Sequence, residues 1–356
     1  MSNIEAYGYK ANYFEEEIDG AVPARVTAVH RERFEIVSEN GTGHAKLKPG
    51  VYYNETEQMF PTAGDFVLVV LNEHGDSQIV KTGKRKSCFV RKDPDPSAPL
   101  EQVVAANFDY VFIMSSLNND LNYKRLDRYL ALAWQSGATP VILLNKADLA
   151  QDWQEAVNET SEMAPGVDVV AISAKTGEGI DALEKYLQRG STVVFLGSSG
   201  VGKSSLVNSL EGQTVMAVND IREDDSKGRH TTTHRQLVML SCGAMVIDTP
   251  GMRELGMWDA AEGVVQTFSD IEAYFEDCKF GDCSHMGEPG CAVQRALESG
   301  QISQERWDSY LKLMRENKYI EEKSEFIKGK REKGKQISKY ARDIKKHGKN
   351  YRNRVY

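Results

Sequence analysis

The residues best placed to do chemistry in this chain are Gly197, Ser198, Ser199, Gly200, Val201, Gly202, Lys203 and Ser204. They follow the apolar run 192–196 and open the apolar-periodic stretch 205–210, so the text reads strand, glycine-rich loop, helix. In that setting G-x-x-x-x-G-K-[ST] is a phosphate-binding loop: the glycines turn successive backbone N–H groups inward around phosphate oxygens. Lys203 supplies a point charge for the β- and γ-phosphates, the helix N-terminus favours an anion, and the Ser204 hydroxyl can ligate Mg²⁺.

Two further segments stand at strand ends. After the run 141–144 come Asn145, Lys146, Ala147 and Asp148. The Asp148 carboxylate can accept two hydrogen bonds from guanine N1–H and its 2-amino group, a donor pair that adenine lacks. Asn145 can tie neighbouring loops together, and the Lys146 stem can lie along the base. After the run 167–172 come Ser173, Ala174 and Lys175, followed by Thr176 and Gly177, where a backbone N–H could meet the guanine O6. On the other side of the glycine-rich loop, the strand from 245 ends in Asp248-Thr249-Pro250-Gly251. Asp248 can hold the Mg²⁺ shell and the Gly251 N–H can sense a γ-phosphate. Between them, residues 211–235 are polar and carry His230 and the run Thr231-Thr232-Thr233, from which one threonine can complete the Mg²⁺ coordination.

A separate cluster, Cys278, Cys283, His285 and Cys291, is spaced C-x₄-C-x-H-x₅-C within 14 residues. Three thiolates and one imidazole form a closed tetrahedral set, as structural Zn²⁺ requires. Cys88 and Cys242 stand alone and read as ordinary buried thiols.

These groups need scaffolds. The chain has 356 residues, 40% of them apolar, enough for two or three domains. Residues 1–21 show no periodicity and read as a loosely held arm. From 22 to 92, short strands (24–29, 33–37, 65–70, 78–80) broken by Asn40-Gly41, Pro49-Gly50, Ala63-Gly64 and His74-Gly75 predict a small OB-type β-barrel. Such a barrel either only packs or also binds oligonucleotides, and the strands alone leave both open. Residues 92–99 are a proline-rich linker. Residues 100–256 alternate strands with helices at 123–135 and 180–187, which predicts a mostly parallel α/β sheet. Residues 257–325 frame the cysteine cluster with helices at 264–275 and 292–314. The basic end, 326–356, opposes the rest: residues 327–356 carry a net +10 against −18 for the remainder, within a total of −8. That tail is either a solvated end or a contact for phosphate backbone. No apolar run spans a membrane and no signal core opens the chain, so a cytoplasmic monomer is expected.

The five nucleotide signatures are those of a GTPase, but NKAD and SAKTG precede the phosphate loop, the threonine loop and DTPG. The chain therefore resembles a circularly permuted GTPase. A barrel, a permuted GTPase domain and a C-terminal α-helical zinc-binding domain, in that order, resemble the bacterial RsgA family of small-subunit-dependent GTPases. The resemblance implies GTP hydrolysis in late small-subunit (30S) maturation, stimulated by that particle, with 16S ribosomal RNA as a contact surface. It implies that Asn145, Lys146 and Asp148 bind guanine, 197–205 (through Ser205) the phosphates, Ser204 with Thr232 Mg²⁺, and the cysteine–histidine cluster Zn²⁺. Met252 follows DTPG where many GTPases carry a water-orienting glutamine. Slow intrinsic turnover is expected, with His230 as the candidate replacement; the alternative is that His230 only contacts the partner. Permutation also tethers whatever follows Gly251 to the switch, so loss of the γ-phosphate is expected to move that domain.

Overall fold

In the computed structural model, the described residues are 3–30, 32–52, 60–91, 102–118, 121–214, 235–248, 260–320, 322 and 333. The linker 92–99, Thr232, His230, Gly251, Met252 and most of the basic tail lie outside them.

The first five strands are β1 (Ala21–His30), β2 (Arg33–Ser38), β3 (Gly41–Leu47), β4 (Phe66–Val70) and β5 (Ser77–Thr82). They pair in the order β1–β2–β3–β5–β4 and close through β1–β4, with β3 and β5 parallel. This is the closed five-stranded OB-like barrel expected from the turn spacing. Alternate residues such as Ala24, Val26, Ile36, Val67, Val69 and Ile79 fill its interior. A two-stranded ribbon, β6 (Cys88–Arg91) with β7 (Gln102–Ala106), leads out of it.

The second body is a six-stranded sheet. Its strands are β8 (Tyr110–Ser116), β9 (Thr139–Asn145), β10 (Asp168–Ala171), β11 (Thr192–Gly197), β12 (Arg235–Met239) and β13 (Met245–Asp248), in the order β10–β9–β8–β11–β13–β12. All but β12 are parallel, and they read as continuous apolar runs because both faces are covered. After a one-turn α1 (Asn3–Ala6), the helices of this body are α2 (Tyr123–Gln135), α3 (Trp153–Met163) and α4 (Lys203–Glu211). The strands that precede NKAD and SAKTG, β9 and β10, stand earlier in the chain than the phosphate-loop strand β11 and share its sheet across β8, so the permutation is built into the sheet.

Barrel and core share backbone. β1 pairs antiparallel with β12, Ala28 opposite Gln236 and Val29 opposite Arg235, which makes one eleven-stranded sheet. Behind this seam lies Arg25, 1% exposed. Its guanidinium donates to Tyr7 O (2.6 Å), Gly64 O (3.1 Å) and Asn107 O (2.9 Å) and lies over the Phe66 ring. Burial pulls its pKa down to about 10.

Four local expectations are corrected. Residues 3–13 are not a loose arm: Ile4 and Tyr13 are buried, Tyr13 packs on Phe66 at 4.1 Å, and Arg25 holds Tyr7. The helix expected at 180–187 contains only a 3₁₀ turn, Asp181–Leu183, because Ser191 and the Gly190–Gly243 bond pull the chain directly into β11. The helix expected at 264–275 is α5 (Ala261–Thr267) and α6 (Ser269–Glu272), broken at Phe268, whose ring turns into the core. That at 292–314 is α7 (Ala292–Glu298) and a helix over 304–320, separated by Gly300 at φ 73°. In addition, Cys242 is exposed in the β12–β13 turn rather than buried.

The C-terminal helices dock on α2. Gly263 of α5 sits so close that a Cβ there would meet Ala131 O at 2.0 Å. Arg306, on the 304–320 helix, donates to Asp127 of α2 at 2.9 Å and to Asp270 at 2.9 and 3.1 Å, over the Phe268 ring. Ser309 donates to the other Asp127 oxygen at 2.6 Å.

Candidate nucleotide site and metal centre

The carboxyl ends of β9, β10, β11 and β13 bring together the segments that the sequence singled out, at the edge where open α/β sheets bind ligands. The glycines of the phosphate loop are required by contact. A Cβ on Gly197 would stand 2.6 Å from Met114 O, and one on Gly202 (φ 104°) would stand 2.2 Å from Asn145 Nδ2. Lys203 lies across the loop, donating to Gly197 O and Ser198 O, each at 2.8 Å. α4 starts at Lys203 behind Gly202, which has no side chain to occupy the first-turn N–H groups of the helix. Ser204 and Ser205 stand half-buried in that first turn, and Val201 packs into the core below.

Asn145 is the lash of the site. It is 2% exposed, its Nδ2 donates to Val201 O at 2.7 Å, and its Oδ1 accepts from Ala174 N at 3.0 Å. One side chain thus joins the phosphate loop, the NKAD turn and the SAKTG loop. Lys146 adopts the left-handed conformation (φ 65°), which swings the 3₁₀ turn Ala147–Leu149 outward. Asp148 is exposed on that turn, with Oδ1 accepting from Ser173 Oγ at 2.7 Å. The role of the Ser173 hydroxyl in aiming Asp148 was missed by sequence reasoning, since it depends on the two loops meeting.

Within 173–177 the internal hydrogen bonds are almost complete. Ser173 N bonds Glu178 O, Ala174 N bonds Asn145, Thr176 N bonds Ser173 Oγ and Gly177 N bonds Ser173 O. The Lys175 N–H is the donor of this loop left to a ligand. On the far side, Asp248 ends β13, half-buried and opposite Gln236 of β12.

The cysteine–histidine cluster is gathered as spaced. The four ligand atoms of Cys278, Cys283, His285 and Cys291 lie within 4.8 Å of one another. Cys278 Sγ is 4.0 Å from Cys291 Sγ, and His285 Nδ1 is 3.5 Å from Cys278 Sγ and 3.7 Å from Cys291 Sγ. Ideal tetrahedral Zn²⁺ with its usual bond lengths gives edges of about 3.8 Å between sulfurs and about 3.5 Å from sulfur to nitrogen. The donor set fits the ion. His285 is held by Phe275, whose ring stacks on it at 4.0 Å, with Trp307 edge-on at 6.4 Å. Ala292 N, at the start of α7, donates to Cys278 Sγ at 3.3 Å.

The known proteins agree with this geometry. Residues 82–258 match the model of the RsgA GTPase family. A "small ribosomal subunit biogenesis GTPase RsgA 2" from Listeria monocytogenes is 46% identical over 318 residues, 89% of this chain and 90% of its own length. A "small ribosomal subunit biogenesis GTPase RsgA" from Methanosarcina acetivorans is 45% identical over 290 residues, 81% of this chain and 78% of its own. Among solved structures, YjeQ from Thermotoga maritima is 28% identical with a TM-score of 0.63, covering 82% of this chain and 97% of its own. YloQ, described as a circularly permuted GTPase, shares the fold at a TM-score of 0.60 and 23% identity, over 86% of this chain and 98% of its own. With nearly half its residues shared with relatives that it matches along most of their length, the chain belongs to the RsgA GTPase family.

Proposed function

We propose that this protein hydrolyses GTP as a checkpoint in maturation of the small ribosomal subunit, on 16S ribosomal RNA, and that the subunit activates it. The observation that carries the reading is the pair of hydrogen bonds made by the Asn145 side chain, which ties the NKAD turn, the phosphate loop and the SAKTG loop to one another. The names of the relatives supply the particle; the geometry supplies the chemistry.

Asp148, aimed by Ser173, accepts from guanine N1–H and the 2-amino group, while the Lys175 N–H donates to O6 and the Lys146 stem covers the base. Adenine offers a donor to a donor and nothing to the carboxylate, so it is rejected through unpaired groups. The loop from Gly197 to Ser205 wraps the phosphates with backbone N–H groups, and Lys203 leaves its carbonyl partners for the β- and γ-oxygens. Mg²⁺, when bound, neutralises charge building between the β- and γ-phosphates; Ser204, Asp248 and Thr232 are the side chains that would hold it. Gly251 reads the γ-phosphate, and His230 stands in for the absent glutamine at Met252 in orienting water.

The cysteine–histidine cluster holds one structural Zn²⁺ and fixes the C-terminal domain. Because Arg306 and Gly263 clamp that domain to α2, the switch signal reaches it through the segment 249–259 and α2 together, not as a free swing. The protein acts as a monomer in the cytoplasm; among the described residues no helix is long and apolar enough to cross a membrane.

Single-turnover hydrolysis with and without purified small subunits tests the reading. Stimulation by small subunits alone is expected. Equal rates without them, or stimulation only by large subunits, would reject the checkpoint role while leaving nucleotide binding intact. Replacing His230 by Ala is expected to spare GTP affinity and abolish the stimulated rate.

A further inference from the structure

Cys283 and His285 belong to one donor set although they stand two residues apart. On an extended chain their side chains would be roughly 6–7 Å from each other, yet all four donor atoms of the cluster lie within 4.8 Å. The backbone closes that gap at His285, which is left-handed (φ 59°); among the described residues only Asn107 and Lys146 share that conformation without being glycine. A residue with a β-carbon keeps it only where its surroundings hold it there. Here the hold comes from Glu288. One carboxylate oxygen accepts from Ser284 N at 3.0 Å and from Ser284 Oγ, and the other accepts from Met286 N at 3.0 Å. The amides on both sides of His285 are thus tied to a single side chain, and Gly287, at φ 117°, turns the chain back to allow it. The His285 carbonyl in turn accepts from Gln294 of α7 at 2.7 Å. Glu288 Oε2 also lies 3.8 Å from Cys283 Sγ. A carboxylate beside a thiolate repels it, and a divalent cation among the donors offsets that repulsion.

We propose that Glu288 is a positioning residue of the metal centre: it clasps the turn that brings the His285 imidazole to the fourth corner of the ion. The inference rests on the zinc reading given above. Groups that orient a ligand without touching the metal set its affinity, and losing one lowers that affinity by about 10–100-fold. A carboxylate that only stiffened the loop would weaken the site by the same factor whatever residue stood at 285. One that acts through His285 loses its effect once the imidazole is gone.

Competition for Zn²⁺ between the full chain and a chromophoric chelator tests it. The unsubstituted protein is expected to take up one ion, and Glu288→Ala to weaken that uptake by about tenfold or more with GDP affinity unchanged. Glu288→Gln, which keeps one acceptor oxygen, is expected to fall between the two. In a His285→Ala background the further change Glu288→Ala is expected to alter zinc affinity by less than about twofold. Hydrogen exchange on the zinc-loaded Glu288→Ala protein gives a second readout that needs no change at His285: faster exchange at 284–286, with 292–298 as before, is expected. Unchanged zinc affinity in Glu288→Ala, an equal loss in both backgrounds, or undiminished protection at 284–286 would overturn this inference alone. An unsubstituted chain that takes up no zinc would overturn the zinc reading and this inference together.

Discussion

The loops at the sheet edge and the loop around the cysteines both gather polar groups for a ligand, but they are held together differently. At the sheet edge the gathering is finished by the protein itself: Asn145 is spent on two backbone partners and Asp148 is oriented by Ser173. Around Cys278, Cys283, His285 and Cys291 the reactive atoms face chiefly one another, and four such donors at contact distance form a set that could hold a cation. The nucleotide loops are thus a scaffold that awaits its ligand, whereas the knuckle, on the zinc reading proposed above, is a scaffold made by its ion. The difference follows from surroundings: β9 and β11 are core strands with abundant buried area, while the 278–291 segment contains only short turns.

That contrast can be broken most forcefully by removing metal. Chelation, or Cys291→Ser, is expected to melt residues 260–320 while GDP binding persists, since structural zinc contributes about 10–16 kcal/mol in small domains. Circular dichroism and GDP titration on the same sample check it; simultaneous loss of both would mean that the two scaffolds are not separable.

Next in size is the clamp between them. Arg306→Ala leaves Asp127, which is 3% exposed, without its cation, and breaking a buried pair costs about 3–5 kcal/mol. Burial already raises the Asp127 pKa against the bonds from Ser309 and Arg306, so the lone carboxylate should take up a proton. Limited proteolysis is expected to release the C-terminal helices from α2, with metal still bound.

Asn145→Ala sharpens the other half. Val201 O and Ala174 N lose their partner in a buried site, a loss of about 2–4 kcal/mol, and GDP affinity is expected to fall more than global stability does. Thermal melting and calorimetry together resolve the two.

The meeting of the NKAD, SAKTG and phosphate-loop segments was legible in the sequence because each sits at the end of an apolar strand, where the fold itself requires a loop. The gathering of the four cysteine and histidine donors was legible from spacing alone. What escaped depends on residues far apart in the chain. Val29 meets Arg235 across the barrel–core seam, and no local pattern announces that pairing. Tyr7, Arg25 and Asn107 form a buried polar node across three segments, so an arm without periodicity proved to be anchored. The broken helices escaped for a local reason: Gly300 and Phe268 interrupt apolar spacing that otherwise continues in phase.

The smallest effect concerns the start of β10, where the segment leading into β11 contacts it. Lys185, at 2.8 Å, and then Tyr186 donate to Asp168 and hold its carboxyl below the usual range. A depressed carboxylate contributes stability above its unfolded pKa of about 4, and loses it as pH falls through the lower folded value. Asp168→Asn is expected to remove a slight part of the acid sensitivity of melting below pH 4, and no more, because the group is exposed.

The central claim is that one carboxylate, Asp148, reads guanine for the whole machine. Calorimetry of Asp148→Asn with GDP and with xanthosine diphosphate tests it directly, because an amide donates where the carboxylate accepted and xanthine accepts where guanine donated. The account predicts that GDP affinity falls by about 10³-fold or more and that the xanthine nucleotide becomes the tighter ligand. A variant that still prefers GDP would contradict it.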